Sequence, residues 1–192
     1  MKDLIQKSIR ESIAVKQTIL TDEAFLQKIE LAAQAFIAAF RAGGKILFCG
    51  NGGSAADAQH LAAELSGRFY TDRPPLYAEA LHVNSSFVTA VANDYGYDAV
   101  FARMVEAAGR RGDVLVALST SGNSPNILKA IEKGKELSMN IVGFTGSSGG
   151  KMAGWCDVLL NVPSTDTPRI QEAHILIGHI ICEIVEREMF GL

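Results

Sequence analysis

The stretch Val114-Leu115-Val116-Ala117-Leu118-Ser119-Thr120-Ser121-Gly122-Asn123-Ser124 decides how this chain is read. Its first five residues form an unbroken apolar run, which predicts a buried strand. From Pro125 to Leu137 the apolar residues Ile127, Leu128 and Ile131 take helical spacing. Between strand and helix lies a turn carrying four hydroxyls, on Ser119, Thr120, Ser121 and Ser124, together with a glycine. Backbone N–H groups at a helix N-terminus lack partners inside the helix and carry partial positive charge, so such a turn favours a phosphate dianion. A single serine there would be an ordinary N-cap, but four hydroxyls exceed what a cap uses.

A second turn of this design lies upstream. Lys45-Ile46-Leu47-Phe48-Cys49 predicts a strand, Gly50-Asn51-Gly52-Gly53-Ser54 a turn, and the residues from about Ala55 to Ser66 a helix. Glycine permits positive φ and close approach of backbone to ligand. The turn is neither a dinucleotide fingerprint, since G-x-G-x-x-G is absent, nor a P-loop, since no Gly-Lys-Ser/Thr follows. Alone it is a weak signal. Two such turns, each at the carboxyl end of a strand, lie where open α/β sheets bind ligands.

The rest of the chain alternates in the same way. Strands are predicted at 45–49, 78–83, 114–118, 140–145 and 157–162, with helices at about 54–67, 85–92, 97–109, 124–138 and 149–154, and a long closing helix at about 168–189. This pattern predicts a parallel sheet covered on both faces. Residues 2 to about 42 predict two helices broken near Thr21-Asp22, either of which can cap the second. Ala24, Phe25, Ile29, Ala32, Ala33, Phe36, Ile37 and Phe40 cover more than one face of that second helix, which predicts contact with another subunit as well as with the sheet. Arg68 to Pro75 reads as the only loose region.

A chain of 192 residues fits one domain, and 48% hydrophobic content supports a substantial core. The net charge of -3 supplies no basic field for nucleic acid or an anionic membrane. A phosphate must then be held by local dipoles and hydroxyls. Cys49, Cys156 and Cys182 are odd in number and form no CxxC pair, as expected of reduced thiols in a cytoplasmic protein. No signal-peptide core and no bilayer-spanning window is expected.

Candidate chemistry lies on two helices. His60 and Glu64 are four residues apart and share one face, which a surface hydrogen-bonded pair would also explain. The closing helix offers Gln171, Glu172, His174 and His179. On an ideal helix His174 and His179 point about 140° apart and should not serve one site. Gln171 and His179 are about 80° apart but separated by roughly 12 Å along the axis. The spacing allows one site of His60, Glu64 and His179 and leaves Gln171 open. His82, on a predicted strand, reads as a core or lining residue.

The two turns, the segment Ala58-Gln59-His60-Leu61-Ala62-Ala63-Glu64-Leu65, Ala92-Asn93-Asp94, Gly149-Gly150-Lys151-Met152-Ala153-Gly154 and Arg169-Ile170-Gln171-Glu172-Ala173-His174 are familiar together. Over its whole length the chain resembles the sugar isomerase (SIS) domain family, specifically the bacterial sedoheptulose 7-phosphate isomerases. The resemblance implies a single SIS domain over 1–192, with an N-terminal helical hairpin at 1–42 and an α/β core at 43–192. It implies a flavodoxin-like three-layer sandwich around a five-stranded parallel sheet, N-terminal helices used in oligomerisation, and a homotetramer with sites between subunits. The reaction it implies converts sedoheptulose 7-phosphate to D-glycero-D-manno-heptose 7-phosphate, the first step towards the heptose of lipopolysaccharide or S-layer glycans.

Carried over by position, the resemblance puts phosphate on Ser119, Thr120, Ser121 and Ser124, and the sugar chain along Asn51, Gly52, Gly53, Asn93 and Asp94. It implies zinc on His60, Glu64, Gln171 and His179, with Glu64 and His179 as the acid–base pair and with Glu64 and Gln171 also touching substrate. One position departs from the pattern: some relatives carry an acidic residue just before the Arg169 equivalent, where this chain has Pro168. The family also contains the non-catalytic DnaA initiator-associating protein, which lacks the Glu64 and His179 equivalents. Both residues are present here, which favours an enzyme. A phosphosugar-sensing regulatory domain would need a DNA-binding element, and the sequence offers neither helix-turn-helix nor basic arm.

Overall fold

The computed structural model describes residues 1–191. Five strands form at the expected places: β1 (Ile46–Gly50), β2 (Ala78–Ala80), β3 (Val114–Leu118), β4 (Asn140–Thr145) and β5 (Val158–Asn161). β2 is shorter than expected, because after Leu81 N–H donates to Phe48 O the chain bends and Val83 N–H turns back to Ala80 O. All neighbours pair in parallel, in the order β2-β1-β3-β4-β5. This is the flavodoxin-like order, whose direction reverses between β1 and β3.

Among the described residues seven α-helices accompany the sheet: α1 (Lys2–Leu20), α2 (Glu23–Arg41), α3 (Gly53–Ser66), α4 (Ser85–Tyr95), α5 (Val100–Ala108), α6 (Pro125–Glu136) and α7 (Thr167–Phe190). The break between α1 and α2 is the expected one, with the Asp22 carboxylate accepting from Phe25 N–H at 3.0 Å. The segment expected as a helix over 149–154 is only a 3₁₀ turn, Gly150–Gly154, entered through positive φ at both Gly149 and Gly150. Pro168 lies in the first turn of α7, where its missing N–H costs nothing.

Side chains of the strands alternate between two cores. Phe48, Val116, Leu118 and Phe144 face α2, α3 and α7, while Leu47, Cys49, Leu115 and Ala117 face α5 and α6. Burial on both faces is why these strands read as continuous apolar runs. Phe25, Ile29, Ala32, Ala33, Phe36, Ile37 and Phe40 of α2 are buried within the one chain, while Ala24 and Leu31 stay exposed on its outer face. A longer exposed apolar stripe lies on α1, at Leu4, Ile5, Ile9 and Ile13.

The segment Arg68 to Pro75 is not loose. Its Arg73 side chain is only 3% exposed and is paired with Glu186 of α7. α3 and α7 lie side by side and run in the same direction, with Gly53 against Gln171 at one end and Leu61 against Gly178 further along.

Candidate active site

Both ligand-type turns sit at the carboxyl edge, after β1 and β3, where the strand order reverses. The two glycines of the first turn serve different ends. Gly52 has φ of 55°, which a side chain would strain. At Gly53 a β-carbon would lie 2.5 Å from Gln171 Nε2, so the glycine makes room for that amide. In the second turn Ser124 occupies the N-cap of α6, yet its hydroxyl caps nothing. It pairs with Ser119 Oγ at 3.0 Å, and Ser121 Oγ accepts from Asn123 N–H at 3.2 Å. Two of the four hydroxyls thus pair with each other at the start of α6, and the Ser124 hydroxyl is not consumed in closing it.

A pair of amides joins the two turns. Asn51 Nδ2 donates to Asn126 Oδ1 and Asn126 Nδ2 donates to Asn51 Oδ1, each at 2.9 Å. Asn126 is buried and Asn51 is half-buried. Tyr97 adds its hydroxyl to Asn51 Oδ1 at 3.3 Å. Asn93 and Asp94 are exposed in the last turn of α4, a few residues before Tyr97, with Asn93 Nδ2 donating to Asp94 Oδ1 at 2.9 Å.

The helical residues meet as the sequence predicts. His60 Nε2 lies 2.9 Å from His179 Nε2 and 3.2 Å from Glu64 Oε1. One donor atom from each of His60, Glu64 and His179 falls within 4.8 Å of the others, and among the described residues this is the only such cluster of three. The His60 side chain is 50% exposed and that of Glu64 19%. Burial holds the His179 imidazole below its usual pKa, reinforced by nearby His60 and opposed by Glu64. Two imidazole nitrogens facing each other beside a carboxylate suit a zinc ion, and three protein donors leave a position for substrate. The residues present therefore fit the metal that the resemblance implies. Gln171 lies about two turns before His179, with its amide against Gly53.

His174 is absent from this cluster, in line with its angular position. It is fully buried, with Nε2 3.1 Å from Thr145 O, and burial pushes its pKa down to about 4. His82 follows β2, half-buried, with a buried Nδ1 that has no hydrogen-bond partner among the described residues.

Known proteins resemble the chain over nearly its whole length. The SIS domain model matches residues 9–146. The chain belongs to the SIS domain family. A phosphoheptose isomerase from Clostridium acetobutylicum is 51% identical over 191 residues, covering 100% of this chain and 97% of that one. One from Mycobacterium bovis is 56% identical over 181 residues, covering 94% and 92%. Among solved structures, a phosphoheptose isomerase from Neisseria gonorrhoeae superposes with a TM-score of 0.89 at 44% identity, covering 96% of this chain and 98% of that one.

Within this SIS domain, sequence reasoning missed three side chains that support the candidate residues. Asn126 and Tyr97 hold Asn51, and Phe69 stacks on His179 with ring centroids 5.6 Å apart. Tyr97 and Phe69 carry no local signal, because each acts across a tertiary contact. An asparagine directly after the Ser124-Pro125 helix start was the one available hint.

Proposed function

We propose that the protein is an aldose–ketose isomerase that converts sedoheptulose 7-phosphate to D-glycero-D-manno-heptose 7-phosphate through an enediol, the first step of ADP- or GDP-heptose formation. The observation that carries this reading is the meeting of Glu64 and His179 in one cluster. A non-catalytic relative lacking both would have no such pair.

The chemistry follows from the residues. Ser119, Thr120, Ser121 and Ser124, with the N-terminus of α6, hold the phosphate. Asn51, Gly52, Gly53, Asn93 and Asp94 line the sugar chain. Glu64, partly shielded from water, removes the proton from C1 of the ketose while His179 donates a proton to the C2 oxygen, giving the enediol. His179 then recovers the proton of the C1 hydroxyl, and Glu64 returns its proton to C2, giving the aldose. A depressed imidazole pKa keeps His179 able to accept a proton near neutrality. His60, Glu64 and His179, with Gln171, would hold zinc, which supplies Lewis-acid stabilisation of negative charge on oxygen.

The working unit in this reading is a homotetramer with sites between subunits. Its support is the apolar stripe on α1, and Leu176 and Ile180, which are exposed on either side of His179. We read the chain as a single domain, since α2 contributes to the same core as the sheet. No described helix is long and apolar enough to cross a membrane. The proposed location is the cytoplasm, in keeping with three free cysteines.

The test is incubation of purified protein with sedoheptulose 7-phosphate in tritiated water, with NMR to follow the aldose. The expected result is aldose carrying tritium at C2. Absence of aldose would overturn the reading. Zinc found by elemental analysis, with activity lost to EDTA, would support the metal, and light scattering at micromolar concentration should give the mass of four chains.

A further inference from the structure

The segment between α3 and β2 carries more buried polar structure than a connection needs. Glu186 of α7 is 2% exposed, and all its partners come from this segment. Tyr70 N–H donates to Oε2 at 2.8 Å, Thr71 N–H and hydroxyl donate to Oε1 at 3.2 and 3.0 Å, and Arg73 Nε donates to Oε1 at 3.3 Å. Burial alone would raise the Glu186 pKa, but these hydrogen bonds and the charge of Arg73 hold it below the usual carboxylate range. Arg73 spends its remaining donors on the end of α3: Nη1 reaches Leu65 O at 2.7 Å and Gly67 O at 3.1 Å, and Nη2 reaches Glu64 O at 2.7 Å. A cation there also complements the C-terminal end of the helix dipole.

This latch ends on both members of the acid–base pair. Arg73 grips the backbone carbonyl of Glu64. Phe69, four residues before Arg73, lays its ring on His179 with an interplanar angle of 25°. A contact of that geometry can bias an imidazole between rotamers but is too weak to hold the fold.

We propose that residues 67–75, locked by the buried Arg73–Glu186 pair, form a positioning strap that fixes the His179 imidazole through Phe69 and so sets turnover without affecting phosphosugar binding. The proposal rests on the isomerase reading for its kinetic arm only. Phe69, Arg73 and Glu186 are positioning residues, since the strap acts through His179 and Glu64.

Phe69→Leu and Phe69→Tyr in the full chain separate this from a packing role. Phe69→Leu should lower kcat by roughly 10- to 100-fold, the scale of a misplaced reacting group, with KM unchanged. In metal-free protein the His179 Hε1 resonance should move downfield as the shielding ring is lost. Phe69→Tyr should restore both the turnover and the resonance. Glu186→Gln should reproduce the kcat loss, speed amide exchange at Tyr70 and Thr71, and add little to Phe69→Leu in the double variant. Unchanged kcat in Phe69→Leu, a rise in KM matching any fall in kcat, or an unmoved His179 resonance would overturn the proposal. Should the wild type fail to isomerise the ketose, the isomerase reading falls, while the His179 resonance in Phe69→Leu and Phe69→Tyr still decides whether the strap orients the ring.

Discussion

The serine turn and the histidine cluster serve one proposed substrate by opposite construction. The hydroxyls of the turn lie between Ser119 and Ser124 and bond to one another and to the backbone beside them. His60 and His179 are 119 positions apart and meet only because α3 and α7 pack in register. Anion binding can be written locally, since a helix start and a few hydroxyls are sufficient for it. Proton transfer needs two side chains held at a fixed distance, which only tertiary packing supplies.

Substitutions in the two regions should therefore separate turnover from binding. Glu64→Gln keeps size and hydrogen bonding but removes the base, and kcat should fall about 10²- to 10⁴-fold. Calorimetry should still detect phosphosugar binding. Normal turnover in this variant would remove the cluster from catalysis and erase the contrast. The complementary change, Ser119→Ala with Ser121→Ala, should weaken phosphosugar binding by about 3 kcal/mol or more, since hydrogen bonds to a charged group contribute about 1.5–3 kcal/mol each. The thermal unfolding midpoint should barely move. Unaltered affinity would place the phosphate elsewhere.

The inner face of α7 provides a control. His174 has its folded pKa lowered from 6.5 to about 4, so between those values the unfolded chain binds more protons than the native one. Stability should be flat with respect to this group above about pH 6.5 and decline as pH falls, by up to about 3 kcal/mol near pH 4. His174→Gln should remove that component from urea unfolding curves measured between pH 7 and 5 while leaving kcat near wild type. A loss of turnover as deep as that of His179→Gln would mean the helix has no catalytic face distinct from its structural one.

The smallest effect is expected at the amide pair joining the two turns. Asn126→Leu removes two neutral hydrogen bonds to Asn51, worth about 1 kcal/mol each. KM for the phosphosugar should rise about tenfold, and kcat should stay within a few-fold of wild type. An effect on kcat alone would show that Asn126 communicates with the histidines and that the two regions are not independent.

The same contrast explains what the sequence disclosed. Both turns were visible because strand, glycine or hydroxyl cluster, and helix follow one another along the chain. The sheet was equally legible, since strands buried on both faces read as apolar runs such as Val114–Leu118. The angular argument on α7 separated His179 from His174 correctly. It left Gln171 open because helix geometry says nothing about how side chains lean. The covering of α2 was legible only in part, because a wide apolar surface does not say who covers it, and α7 with the sheet takes the larger share here. Arg68 to Pro75 looked loose because Pro74-Pro75 ends any helix, whereas its anchor, Glu186, lies more than a hundred residues away.

Gly178 has no functional group, yet it stands beside His179 and packs on Leu61, the neighbour of His60. A β-carbon at position 178 would lie 2.5 Å from Leu61 Cδ1 and 2.6 Å from Cδ2. Leu61 is 1% exposed, so the added carbon would have to displace a buried side chain or the helix that carries it. The gap between the imidazoles is gauged by an absent methyl group. One added carbon, bringing neither charge nor hydrogen bond, would press on the residue next to His60, so the bite of this centre on its reacting atoms is machined in part by the hydrocarbon beneath it.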